Sequence, residues 1–428
     1  MGWLSVDLTP LRVSPTYRRL WIATLITALG TQATFVTLAY QLSALTNSAG
    51  AVGALGAVEL VPLIVFGLLG GVLADSLDRR VLVLATEAAL MLGSVALLGN
   101  ALLTHPAAWV LYVVVIIQTT AASLQQPSLD SLRQQVIPHE LQRQATTLNS
   151  VRYNATAIVG PALGGILAVS VGSGSVYALD VFSFCCSLYL LAQVHPPSRV
   201  GKKVEVEFAS LTAGLSYAIS RRDLLGTYLM DLAAMLFAYP IVMLPFVARS
   251  FHTPGALAML YAALPLGAFV GSVTANAWTG KIHRYGRAIT IAAASWGVGI
   301  AIFGWGPNLA ICLFGLFAAG WADTISALFR GTMWNQSIPP SVRGRMASVE
   351  LLSYSIGPSA GQLRSGVMAT ALSLRASLAI GGLACTGVCA GLAAALPAMW
   401  NFDVRTDANV HEVERIRADE VAHGGEAD

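Results

Sequence analysis

Apolar residues run along this chain in long blocks, broken at intervals by short charged or Gly/Pro-containing turns. "AVGALGAVELVPLIVFGLL" gives way to "GGVLADSLDRR" at residues 70–80, and "VLVLATEAALMLGSVALLGNALL" follows at once. A helix needs about 20 apolar residues to cross a hydrocarbon core of about 30 Å. Windows of that kind fall at 18–44, 50–74, 80–103, 108–128, 144–171, 176–194, 223–248, 255–279, 287–306, 308–330, 346–370 and 374–397. The pattern predicts an all-α integral membrane protein of twelve transmembrane helices, with almost no soluble domain.

Composition agrees with the pattern. Of 428 residues 55% are hydrophobic and 11% charged, against roughly a quarter charged in soluble domains, and the mean hydropathy is +0.66. A net charge of +3 without a basic, aromatic-interleaved stretch makes nucleic acid an unexpected partner. The five cysteines all lie in apolar runs without metal or redox spacing, so they read as small buried hydrophobes and no metal site is expected. No phosphate-cradling glycine loop ending in Lys-Ser/Thr is present, which leaves ATP drive and a bound cofactor without a motif. No nucleophile stands with a base, so an enzyme is not expected. Most of the 25 Lys and Arg fall in alternate loops, Arg330 counted among them. The positive-inside rule then puts both termini in the cytoplasm and the chain in a cell inner membrane.

The chain also repeats itself. "QVIPHELQRQATTLNS" (135–150) lines up with "QSIPPSVRGRMASVEL" (336–351), and "GPALG" (160–164) is answered by "GPSAG" (357–361). Parallel repeats of this kind build transporters whose substrate site lies at the interface of two halves. The expected organisation is two pseudo-symmetric six-helix bundles, 1–195 and 223–398. A linker at 196–222 carries an amphipathic stretch (Phe208, Leu211, Leu215, Ile219), and a polar tail at 399–428 is charged enough to be partly disordered.

Twelve spans in two halves with an acid-and-arginine turn after the second resemble the major facilitator superfamily. Its loop pattern is met by Gly71, Leu73, Asp75, Arg79 and Arg80, with Asp78 where the pattern has glycine. Gly160, Pro161, Gly164 and Gly165 resemble its antiporter signature, and 321–350 is similar to the enterobactin-exporter and multidrug-exporter branch. The resemblance implies a secondary transporter working by alternating access, with Gly71, Asp75, Arg79 and Arg80 as a conformational latch. It also implies that the Gly-Pro element favours export.

Candidate chemistry follows from polar residues inside the spans. Thr24, Thr27, Thr31 and Thr34 share one helical face, with Gln118 in the fourth span. They suggest a cavity wall, against the plain alternative of threonines bonding their own i−4 carbonyls. Phe35 and Phe237 suit a bulky substrate, and Arg152 an anionic one or, alternatively, a headgroup. Ionisable groups within a membrane are costly and mark function, so Asp231 and Glu59 are the candidate proton carriers, driven by the proton gradient. Glu87, Asp180 and Asp323 lie nearer span ends and read as structural. Pro161 and Pro358, with Gly160, Gly164 and Gly361 beside them, are expected to bend helices and admit close neighbours. The expected function is proton-coupled export of amphipathic small molecules, drugs or siderophores, by a monomer in the lipid bilayer. A lipid or lysolipid flippase, and a membrane sensor or scaffold without transport, stand as alternatives.

Overall fold

The computed structural model describes residues 7–76, 78–194, 216–253, 255–275, 277 and 279–424, leaving aside side chains at 68–76, 347–355 and a few other positions. It is all-helical there. The long helices are α1 (Pro15–Thr46), α2 (Ala49–Ser76), α3 (Arg79–Ala101), α4 (Ala108–Val136), α5 (Gln142–Ser170), α6 (Ser173–Ala192), α7 (Arg222–Ala238), α8 (Ala256–Ala275), α9 (Tyr285–Trp305), α10 (Leu309–Ser337), α11 (Pro340–Ala371) and α12 (Leu374–Ala395). Eleven helical segments among the described residues are long and apolar enough to cross a membrane. Large apolar side chains stay exposed along these helices, such as Trp109, Phe182, Tyr189 and Trp305. In a multi-pass membrane protein that surface faces lipid.

Contacts divide the chain into two units, Met1–Val206 with Ile241–Ala262, and Glu207–Pro240 with Ala263–Asp428. In the first, α1 packs against α5 and α6, and α4 against α2 and α3. In the second, α9 packs against α10 and α12, and α7 against α11 and α12.

Helix ends follow local chemistry. Ser14 caps α1, its hydroxyl accepting from the Tyr17 N–H at 3.1 Å, with Pro15 pre-set for the first turn. The charged stretch at 70–80 is mostly helix, since α2 runs to Ser76 and α3 begins at Arg79. Asp78, the departure from the loop pattern, is the N-cap of α3: its carboxylate accepts from the Arg80 and Val81 amides at 2.8 and 3.1 Å. Arg80 then donates to the Ala192 carbonyl at 2.6 Å, a cation at the C-terminus of α6 where the helix dipole favours one. Gly71 lies in α2, and the Asp75 side chain lies outside the described residues, as does the linker up to residue 215.

The expected seventh span is broken. α7 stops at Ala238, and the chain passes through Tyr239 and Pro240 into a 3₁₀ turn and a short helix, Leu244–Arg249, because Pro240 supplies no N–H and disfavours helix before it. The freed carbonyls find donors on α11. Arg364 Nε donates to Leu236 O at 3.1 Å and Ser365 Oγ to Tyr239 O at 3.2 Å. The polar tail is likewise ordered into a helix, Ala408–Gly424. Asp407 accepts from the Asn409 and Val410 amides, and Val410 and Val413 are buried where this helix meets α10. Three residues apart, these valines share a face that the tail's net polarity hides.

Both Gly-Pro elements lie at close helix contacts. A Cβ on Gly164 would stand 2.5 Å from the Ala33 carbonyl oxygen of α1, and one on Gly160 would stand 2.5 Å from the Gln32 Cβ. Gly361 faces the Met235 backbone of α7 in the same way. Gly164→Ala is therefore expected to cost about 1–3 kcal/mol of overpacking, read as a lower apparent Tm in detergent. Gly67→Ala, with nothing within 4 Å of a new Cβ, is expected to leave Tm unchanged or slightly raised.

Candidate transport site

Thr24 and Thr27 are buried and donate to their own helix, to Leu20 O at 3.0 Å and Ala23 O at 3.1 Å. Thr31 is exposed, and Thr34 donates to Asp180 Oδ2 at 2.9 Å. The four threonines therefore do three different things. Phe35, Gln118 and Phe237 are half-buried, and so is Glu59.

Two fully buried carboxylates organise the interior of the first unit. Asp180 on α6 accepts from Ser94 Oγ of α3 at 2.6 Å as well as from Thr34, and Gln118 Nε2 of α4 donates to Ser94 Oγ at 3.3 Å. Glu87 of α3 accepts from Ser187 Oγ of α6 at 2.5 Å and Gln125 Nε2 of α4 at 2.6 Å. Glu87 and Ser94 are seven apart on α3, as are Asp180 and Ser187 on α6, so the two helices share one polar seam. Gly30 of α1 covers it, since a Cβ there would stand 2.5 Å from Ser183 Oγ. Donors on neighbouring helices offset the cost of burying these groups, which fits their structural reading.

The second unit holds an ion pair. Asp231, midway along α7, is 2% exposed and pairs with Arg330 of α10, itself 3% exposed. Arg330 is the residue that the sequence reading placed in a loop; α10 continues to Ser337 and buries it. Two further bridges run in antiparallel order between the helices. Trp334 Nε1 donates to Thr227 Oγ1 at 2.9 Å, and Arg221 at the start of α7 donates to Ser337 O at 3.3 Å. Asp323, the middle residue of α10, is half-buried, seven residues before Arg330 on the same face, and within electrostatic reach of both Arg330 and Asp231. One guanidinium thus pairs with Asp231 and lies within electrostatic range of Asp323. The signal for Arg330 lay in its spacing from Asp323 rather than in hydropathy.

Arg152 of α5 donates through Nη1 to the Thr24 carbonyl at 3.2 Å. Beside it, residues between 130 and 153, from the end of α4 to the first half of α5, line an open cavity of about 620 Å³ that includes Arg133, Asn149 and Arg152.

These helices, their half-by-half packing and their buried charges define a transporter of the major facilitator type. The nucleoside transporter NupG has the same fold, with a TM-score of 0.69 at 13% identity, covering 91% of this chain and 100% of that one. A bacterial homologue of the human lysosomal transporter Spinster gives 0.70 at 14%, covering 91% and 96%. A D-xylose–proton symporter gives 0.68 at 14%, covering 93% and 98%. The chain belongs to the transmembrane secretion effector family, whose model matches residues 5–422. Curated relatives include the enterobactin exporter EntS of Citrobacter koseri, 25% identical over 385 residues, covering 89% of this chain and 91% of that protein. EntS of Shigella flexneri is also 25% identical, over 388 residues with the same coverage.

Removing Arg330 takes away the cation that pairs with the buried Asp231. Arg330→Ala is expected to destabilise the protein by about 3–5 kcal/mol. Adding Asp231→Ala to it should restore part of that loss, so a double-mutant cycle of thermal unfolding in detergent should show strong coupling. Additive losses would mean that the pair carries no interaction energy.

Proposed function

We propose that this protein exports amphipathic small molecules of drug or siderophore type across a cell inner membrane by proton antiport, as a monomer of twelve spans with both termini cytoplasmic. The observation that carries the reading is the Arg330–Asp231 pair inside the membrane-spanning helices, with Asp323 in electrostatic range of both. Two acids sharing one arginine hold one negative charge in excess. A single proton makes the group neutral, and neutral groups cross a low-dielectric region far more cheaply than charged ones.

In the proposed cycle the proton enters from outside and neutralises one carboxylate while Arg330 stays with the other. Substrate binding from the inside favours release of the proton inwards. Asp231, Asp323 and Arg330 then act as one coupling unit, and Glu59 of α2 remains a second candidate. The family's description as secretion effectors and the export named for the EntS relatives support the outward direction. Gly160, Pro161 and Gly164 support it through the close fit of α5 on α1, with Pro358 and Gly361 repeating it between α11 and α7. Gly71, Asp75, Arg79 and Arg80 remain the proposed latch.

The test is dye efflux from proteoliposomes of the full chain with and without an imposed pH gradient. Asp231→Asn is expected to abolish the gradient's stimulation while leaving passive exchange of dye measurable. Full gradient-driven efflux in both Asp231→Asn and Glu59→Gln would remove the coupling assignment.

A further inference from the structure

We infer that the cavity between the end of α4 and the first half of α5 binds the anionic group of an amphipathic molecule, with Arg152 as its counter-charge. The inference rests on the export reading above and names the chemistry of its cargo. Arg152 is anchored within the protein. Its guanidinium is half-buried, Nη1 is held by the Thr24 carbonyl of α1, and Nε is buried without a hydrogen-bond partner among the described residues. A backbone carbonyl fixes the fork but does not neutralise it.

The other charges around the cavity leave that positive charge uncompensated. Arg133 is close enough to Arg152 to repel it, and the nearby carboxylate, Asp130, is engaged with Arg133 at 2.6 Å. Asp130 and its arginine cancel, so the wall keeps one net positive charge. Asn149, whose Oδ1 is buried without a partner among the described residues, lines the same cavity. The orphaned atom is an acceptor, which suits a hydroxyl or N–H elsewhere on the same molecule rather than its anionic group. A planar guanidinium with free N–H bonds suits a carboxylate, sulfonate or phosphate. Ile137 and Ala145 line the cavity as well, and the largely exposed ring of Tyr153 stands at its edge. These give the apolar part of such a molecule a surface. The volume of about 620 Å³ falls within the range of small-molecule pockets. A lipid headgroup and a soluble anion share this chemistry.

The test uses two dyes of one ring system, fluorescein as the anion and rhodamine 6G as the cation, titrated by fluorescence anisotropy against the purified full chain in detergent. Fluorescein is expected to bind more tightly than rhodamine 6G. Arg152→Gln should weaken fluorescein binding about tenfold or more, the scale of a charge-assisted hydrogen bond, and Arg152→Lys should retain most of it. Each variant must elute from gel filtration as the wild type does. Equal fluorescein affinity in wild type and Arg152→Gln overturns the inference. Repeating the titration in nanodiscs of phosphatidylglycerol and of phosphatidylcholine separates the two sources. Loss of fluorescein binding only in phosphatidylglycerol assigns the site to a lipid headgroup, and undiminished binding assigns it to soluble anions; both uphold an anion site. Dye export without Arg152-dependent binding overturns the anion site alone. Arg152-dependent binding without export of either dye supports the site and removes the export reading.

Discussion

Hydrocarbon offers no hydrogen bonds, and each polar group that this chain carries into its helices has to find its partner inside the protein. The carboxylates of Asp180 and Glu87 each find donors, hydroxyls or a side-chain amide, on two other helices. The carbonyls freed where Pro240 stops α7 find Arg364 and Ser365. Asp231 finds Arg330. Apolar packing alone orients helices weakly in lipid, because a lipid tail is as apolar as leucine. These polar contacts, together with glycine contacts that let backbones meet, specify which helix stands against which.

The two units solve this problem differently. The first neutralises its acids by hydrogen bonds from uncharged donors, a rigid arrangement with several anchors per carboxylate. The second uses a full ion pair with a third charge in electrostatic range. A network of the first kind suits a scaffold, and one of the second kind suits a moving part. Chemistry thus distinguishes halves that the sequence repeat makes look equivalent.

Much of the fold was legible in the sequence, because helix length and hydropathy are local properties. The ends of α1, α3 and α6 fall within a few residues of the expected windows, and the Gly-Pro elements lie at close helix contacts as expected. What the sequence hid depended on partners far along the chain. Thr24 and Thr34 look alike on a helical wheel, yet one bonds its own turn and the other reaches Asp180, 146 residues away. Arg330 counted with the loop cations because it closes the tenth apolar window, whereas the helix itself continues to Ser337 and pairs the arginine with the buried Asp231. The tail helix was missed because composition averages over Val410 and Val413 instead of noting their shared face.

Around Gly164 the contact of α5 on α1 is glycine against backbone, whereas nearer the start of both helices Tyr17, Leu20 and Trp21 pack their side chains against Ala145 and Leu148. Interdigitated cores resist displacement because every shift must reset many rotamers together. Around Gly164 little has to be reset. Sliding there resembles a bearing more than a gear: the friction is set by the width of the gap, and it rises with every methyl group added to either face.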